Sequence, residues 1–267
     1  MNPLSLHHLT VLDASPLELI DIAAATGCDQ VCVFVHSTAP GGMFPVVGAD
    51  DVEAVKARLA ANRVEVYNLE YYPITPDVDV AAYGPTLDVG ARLGARRATA
   101  HIHDPVEERA LETFSRFCRL AARHDLNVGL EFTSFALIRS LGAAVDFIGK
   151  ANQPNAGVAV DALHLMRNGA ELPLLAAIDP RLIGYMQICD GPLTVAPEDM
   201  ISEAIENRAI PGQGQFPLAA FVACAPAGVT IDVEVPQHRA RDAGVCALDR
   251  ARRAVDAARA LITAHRE

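Results

Sequence analysis

The chain reads as a single (β/α)8 TIM barrel spanning residues 1–267, on three observations. Short apolar runs alternate with longer helix-like segments from end to end, and strands that alternate with helices lie parallel with their helices packed outside. Four of the later runs finish on an oxygen-bearing side chain, at Glu131, Asp161, Gln187 and Glu234. No linker or low-complexity stretch divides the 267 residues, a length that suits one barrel.

Taken in order, residues 4–12 are the first strand, and Ser15-Pro16 supplies a cap and a first-turn proline for a helix that runs to Thr26 and stops at Gly27. Residues 30–36 are the second strand, apolar from Val31 to Val35 as a doubly covered parallel strand should be, with His36 at its end. A Pro/Gly-rich loop over 39–48 leads to the helix 50–62. The third strand, 64–69, ends in Glu70-Tyr71-Tyr72, and after Pro76 a helix runs to Leu93 with Gly94 as its stop. The fourth, 97–102, ends in His101-Ile102-His103-Asp104, with a helix over 105–124 behind it.

The fifth strand, 128–130, carries Glu131 at its C-terminal end, and a helix over 137–151 follows, with Pro154 beyond it. The sixth, 157–161, carries Asp161 and runs into Ala162-Leu163-His164. A short helix over 174–178 precedes the seventh strand, 182–188. Residues 192–214 are then a long connection, expected to lie over the strand rim as a functional loop. A helix over 216–225, the eighth strand 228–235 with Glu234, and an Ala/Arg-rich helix over 247–264 close the chain. The arginines from Arg250 to Arg259 are expected on the solvated face of that last helix.

The net charge of -11 argues against a nucleic-acid partner, which calls for a basic stripe. Cysteines 28, 32, 118, 189, 224 and 246 show no CxxC or zinc-finger spacing and read as reduced thiols, several of them in the core, which points to a cytoplasmic protein. No basic segment followed by an apolar one opens the chain, and no apolar run approaches the ~18 residues of a membrane span, so neither secretion nor a membrane partner is expected.

In a parallel barrel the C-terminal strand ends are the open rim where ligands bind. Two glutamates, an aspartate and an amide oxygen gathered there make a hard donor set for a divalent ion, Mn2+ or Mg2+ first, with Co2+ or Zn2+ as alternatives. The rival reading of each residue singly is a polar side chain where a strand meets water.

The motifs Leu130-Glu131-Phe132, Val160-Asp161-Ala162-Leu163-His164, Met186-Gln187-Ile188-Cys189-Asp190-Gly191-Pro192, Ile210-Pro211-Gly212-Gln213-Gly214 and Val233-Glu234-Val235-Pro236 resemble those of the xylose isomerase-like TIM barrels. That superfamily holds the sugar phosphate isomerases and epimerases and the type 2 AP endonucleases. The resemblance spans nearly the whole chain. It implies a metal held by Glu131, Asp161, Gln187 and Glu234, with Glu131 and Glu234 also placed as acid and base on opposite faces of a bound hydroxy-ketone. Most epimerases of the superfamily have His where this chain has Gln187, whereas the hydroxypyruvate isomerase-like branch also uses Gln. An amide oxygen is the harder donor and favours Mg2+ or Mn2+ over Zn2+. The AP endonucleases bind three zinc ions through many histidines beside a basic face, which neither the charge nor the histidine placement here supports.

The remaining candidates are substrate contacts. His164 matches the family's Asp-x-x-His. Of His101 and His103 only one is expected to face the barrel mouth, and His103, nearer the strand end, is the candidate. Glu70 ends the third strand and would bond substrate hydroxyls, while His7 on the first is read as core. Arg239, close behind Glu234, would grip an anionic group. The expected activity is a metal-dependent isomerase or epimerase of a small sugar or polyhydroxy keto compound, working through an enediolate. The alternatives are a lyase that dehydrates a keto-polyol of dehydroshikimate or inosose type, and a non-catalytic sugar-binding barrel. A homo-oligomer is compatible with all three.

Overall fold

The computed structural model describes residues 2–37 and 44–264, so residues 39–43 of the predicted loop over 39–48 lie outside the described residues. Eight parallel strands close into a barrel in chain order: β1 (Leu4–His7), β2 (Gln30–Phe34), β3 (Glu65–Ile74), β4 (Arg97–Ile102), β5 (Asn127–Glu131), β6 (Ala156–Asp161), β7 (Ile183–Ile188) and β8 (Ile231–Val233). Closure is made by β1, which pairs with β2 on one side and with β8 on the other, through Leu4↔Ile231, Ser5↔Asp232 and Leu6↔Val233. This is the predicted (β/α)8 barrel.

The principal covering helices are α1 (Pro16–Ala25), α2 (Val52–Asn62), α3 (Gly84–Arg92), α4 (Glu107–Ala122) and α5 (Leu141–Ala151). Helix α1 starts where the sequence indicates, because the Ser15 Oγ accepts the Glu18 N–H at 3.3 Å while the Glu18 carboxylate accepts the Ser15 N–H at 2.8 Å. Short helices follow: α6 (Ala162–Arg167), α7 (Leu172–Ala177), α8 (Met200–Ile205), α9 (Leu218–Ala223) and α10 (His238–Asp242). The closing helix is α11 (Ala247–Ala264). Of these, α8 falls in the 192–214 connection read as a loop and α6 and α10 in segments to which the sequence assigns no element; at five or six residues each they are too short for helical periodicity to register.

The arginines of α11 are not all solvated. Arg250 is buried, pairs with Asp13 and donates to the Val245 carbonyl at 3.2 Å. Arg259 donates to the Thr26 and Gly27 carbonyls at 2.9 and 2.8 Å, satisfying acceptors that the end of α1 leaves open. A helix that closes a barrel packs against the first βα unit, and its long cations serve that seam.

Inside the barrel, beneath the mouth, the Tyr185 hydroxyl lies 2.7 Å from Thr99 Oγ1 and takes an N–H from Asn68 at 3.2 Å. Gly129 leaves room for this ring, as a Cβ on it would stand 3.1 Å from Tyr185, closer than ordinary van der Waals contact. Asp232 shares this interior, fully buried, with neither carboxylate oxygen hydrogen-bonded. Burial pushes its carboxyl up to about 6, with Glu70 and Asp161 adding to the effect and His7 opposing it. A carboxyl raised in the folded state contributes stability below its unfolded value that is lost as pH rises through the folded value. Asp232→Asn is therefore expected to stabilise the protein by roughly 3 kcal/mol at neutral pH, since each pKa unit is worth about 1.4 kcal/mol. It should also flatten the fall in stability between about pH 4 and 6. Urea unfolding across pH checks this, and a destabilised variant would show that the carboxylate has a partner worth more than its burial costs.

Candidate metal centre and active site

Strand register assembles the site. On β4 and β5, His101 is the partner of Glu131, and on β6 and β7, Asp161 is the partner of Gln187. Neighbouring strands lie about 4.8 Å apart, so each pair stands side by side on the rim. Glu234 follows β8 directly and is held from both sides by Thr10, whose hydroxyl donates to the Val233 carbonyl at 2.8 Å and accepts the Val235 N–H at 2.9 Å. Glu131, Asp161, Gln187 and Glu234 are all buried.

Side-chain contacts join the four. His101 Nε2 lies 3.0 Å from Glu131 Oε2, and His164 Nε2 lies 3.7 Å from Glu131 Oε1 and 3.9 Å from Asp161 Oδ2. The Gln187 amide donates to Glu234 Oε2. Between Asp161 and Glu234 stands Arg208, whose Nη1 donates to Asp161 Oδ2 and Nη2 to Glu234 Oε1, both at 2.7 Å.

Arg208 was not among the sequence candidates. It lies inside the long 192–214 connection, which does pack over the rim: Ala204, Ile205 and Arg208 line the mouth. Arg208 N–H donates to the Pro236 carbonyl, and Asp190 and Ala209 exchange a pair of backbone bonds, each at 2.9 Å. These bonds pin the segment between the ends of β7 and β8. The buried Asp190 carboxylate fastens the far end by accepting the N–H groups of Gly191, Gly212, Gly214 and Phe216 at 2.8–3.0 Å. Gly214 has no substitute, as a Cβ would come within 2.2 Å of Asp190 Oδ1. The one sequence signal near Arg208 is its place two residues before Ile210-Pro211-Gly212-Gln213-Gly214, which did not make it a candidate.

Burial dominates the electrostatics. It pushes Glu234 up to about 8, Asp161 and Glu131 adding to the effect while Arg208 and His7 oppose it. Burial alone would lower His101, but the Glu131 carboxylate beside it outweighs burial and holds it above the usual value. His164 is held below the usual histidine range, because burial outweighs the pull of Asp161 and Glu131.

Two observations fit a divalent cation. Gln187 Oε1 is buried with no hydrogen-bond partner, a bare oxygen whose desolvation a cation would offset. Glu131, Asp161 and His164 also offer ligand atoms that all lie within 4.8 Å of one another. Glu131, Asp161 and Glu234 converge with one guanidinium between them, and a divalent cation would favour the ionised form of all three. A second group, His7, Cys32 and Asp232, has comparable spacing but does not fit. Burial opposes a charge on His7, while Cys32, Glu234 and Glu70 together favour it. However, its Nδ1 accepts the Leu9 N–H at 3.0 Å, so we place a single proton on Nε2, the atom a metal would need. Burial pushes the Cys32 thiol up as well.

The other sequence candidates divide. Glu70, His103 and His164 all line the mouth with Glu131 and Glu234. His101 lines it too, and is the histidine that meets Glu131. The expectation that only one of His101 and His103 would face the mouth fails because residues two apart along a strand point to the same side. Arg239 does not line the mouth. It is exposed at the start of α10, its backbone N–H bonded to Asn207 Oδ1 at 2.9 Å.

The fold and rim define a (β/α)8 barrel that carries its polar constellation at the C-terminal strand ends, where barrels of this class bind their ligands. The chain belongs to the family described as xylose isomerase-like TIM barrel, which matches residues 20–264. It is similar to the 3-dehydroshikimate dehydratase of Pseudomonas aeruginosa, with 29% identity over 104 residues, and this match spans 39% of the chain but only 16% of that relative's length. Its fold is similar to that of IolI protein with a bound zinc atom, at a TM-score of 0.82, 16% identity and coverage of 98% and 99% of the two chains. It is also similar in fold to D-allulose 3-epimerase from Methylomonas sp. in complex with D-allulose, at a TM-score of 0.72, 17% identity and coverage of 97% and 96%.

Proposed function

We propose that this chain is a divalent-metal-dependent isomerase or epimerase of a small sugar or polyhydroxy keto compound. The observation that carries the reading is the placement of Glu131 and Glu234 on one mouth, with Asp161 and Gln187 beside them. A cation held by Glu131, Asp161, the Gln187 amide oxygen and Glu234, most suitably Mn2+ or Mg2+, would polarise the substrate carbonyl. Glu131 and Glu234 flank the substrate as a proton-transfer pair: one takes the proton from the carbon next to the carbonyl and the other returns it. His101, on the same mouth, faces Glu131 at 3.0 Å and orients it, while His164, Glu70 and His103 meet the substrate hydroxyls. The free cysteines, four of the six buried, suit a reducing cytoplasmic setting. Among the described residues no helix is long and apolar enough to cross a membrane.

A dehydratase is the second reading, favoured by the similarity to 3-dehydroshikimate dehydratase. Incubating the Mn2+-supplemented protein with a panel of keto-polyols in D2O, read by NMR, separates the readings. Deuterium uptake with rearrangement is the expected result. Net loss of water would assign a lyase, and binding without exchange would leave a sugar-binding barrel.

A further inference from the structure

Resting on the mouth as the site of that chemistry, we propose that its substrate is an uncharged polyhydroxy ketone with one apolar face, and that carboxylated or phosphorylated compounds are excluded.

The first support is the inventory of charge. Glu70, Glu131 and Glu234 line the mouth, and Asp161 stands behind them. Against them is one guanidinium, already committed: Arg208 Nε donates to the Ala204 carbonyl at 2.9 Å, and its two terminal nitrogens are spent on Asp161 and Glu234 at 2.7 Å. A divalent ion with Arg208 would balance Glu131, Asp161 and Glu234, and Glu70, faced at 3.5 Å by the Nε2 of a singly protonated His7, would keep its charge and repel an incoming anion. His101 already faces Glu131 at 3.0 Å. Arg167, on the neighbouring α6, is tied to Glu203 at 2.8 Å and lies over the Phe216 ring. Among the described residues that line the mouth, an anionic tail therefore finds no uncommitted guanidinium or ammonium to fork onto, and specific sites for carboxylate or phosphate ordinarily supply one.

The second support is the opposite wall. Phe34 and Phe44 stack with centroids 4.3 Å apart, Tyr71 meets Phe44 edge-on at 6.0 Å, and Tyr71 in turn meets His101 at 5.2 Å. The arc of rings runs from β2 around to the edge of the carboxylate cluster. Across the mouth, Phe135 packs edge-on over His164 at 5.5 Å. Such a cleft takes a ligand with hydroxyls and carbonyl along one edge and C–H groups on a face, because the rings bury apolar area while offering few acceptors.

The test compares two ligands by calorimetry on the Mn2+-supplemented protein: a cyclohexanone bearing ring hydroxyls and the same ring carrying a carboxylate. The neutral compound is expected to bind at least about tenfold more tightly. Glu70→Gln should narrow that ratio by relieving the repulsion, and Phe44→Ala should weaken the neutral ligand about fivefold or more. Equal or tighter binding of the carboxylated ring overturns the proposal, and its loss in Arg239→Gln would place the anion on α10. Failure of the neutral ring to bind at millimolar concentration overturns it too. Deuterium exchange on the same samples keeps the two readings apart. A neutral ligand that binds without exchange removes the chemistry and leaves the substrate class standing, whereas an anionic ligand that binds and exchanges does the reverse.

Discussion

Glu131→Gln is expected to lower turnover by about 10²–10⁴-fold, the loss typical of a missing general acid or base. The substitution is nearly isosteric and removes a negative ligand and a proton carrier together. It also removes the carboxylate that holds His101 above the usual histidine value, so the His101 titration should move down in the variant. That NMR signal separates a local electrostatic effect from a fold defect, which would disturb many resonances at once. The Mn2+-induced rise in melting temperature should shrink in parallel, since binding to the native state alone is what produces it. A variant with full turnover and an undiminished thermal shift would remove Glu131 from both roles.

Arg208→Met is expected to give the largest change in stability. The guanidinium is buried between Asp161 and Glu234, and breaking a buried ion pair by deleting one partner typically costs about 3–5 kcal/mol because the remaining charge is uncompensated. For a domain of this size that corresponds to a fall in Tm on the order of 10 °C in the metal-free protein. The loss should be largest above about pH 8 and smaller at neutral pH and below. Glu234 is already raised to about 8 by burial, and without Arg208 it takes up its proton still more readily. Added Mn2+ should recover more of the loss than it adds to the wild-type protein, as it supplies the missing positive charge. An unchanged metal-free Tm would mean that the carboxylates are compensated by solvent.

Much of this molecule is written locally in its sequence. Each strand is a short apolar run, each principal helix has its own start and stop, and a side chain at the C-terminal end of a parallel strand reaches the rim wherever the barrel closes. Glu131, Asp161, Gln187 and Glu234 were legible on that ground, and His164 through its resemblance to the family's Asp-x-x-His. His101 was equally legible, since residues two apart on a strand share a face, and choosing His103 alone misapplied that rule. Tertiary structure alone decided the rest. Arg208 reaches Asp161, 47 residues away in the chain, only because the Asp190 carboxylate and two backbone bridges fold the 192–214 segment back over the rim. Arg250 is drawn inward by Asp13, 237 residues away, and Arg239 stays outside because α10 begins before its side chain reaches the mouth. Apolar periodicity is a property of neighbours in sequence, whereas the pairing of a buried charge depends on where the closed barrel brings distant segments together.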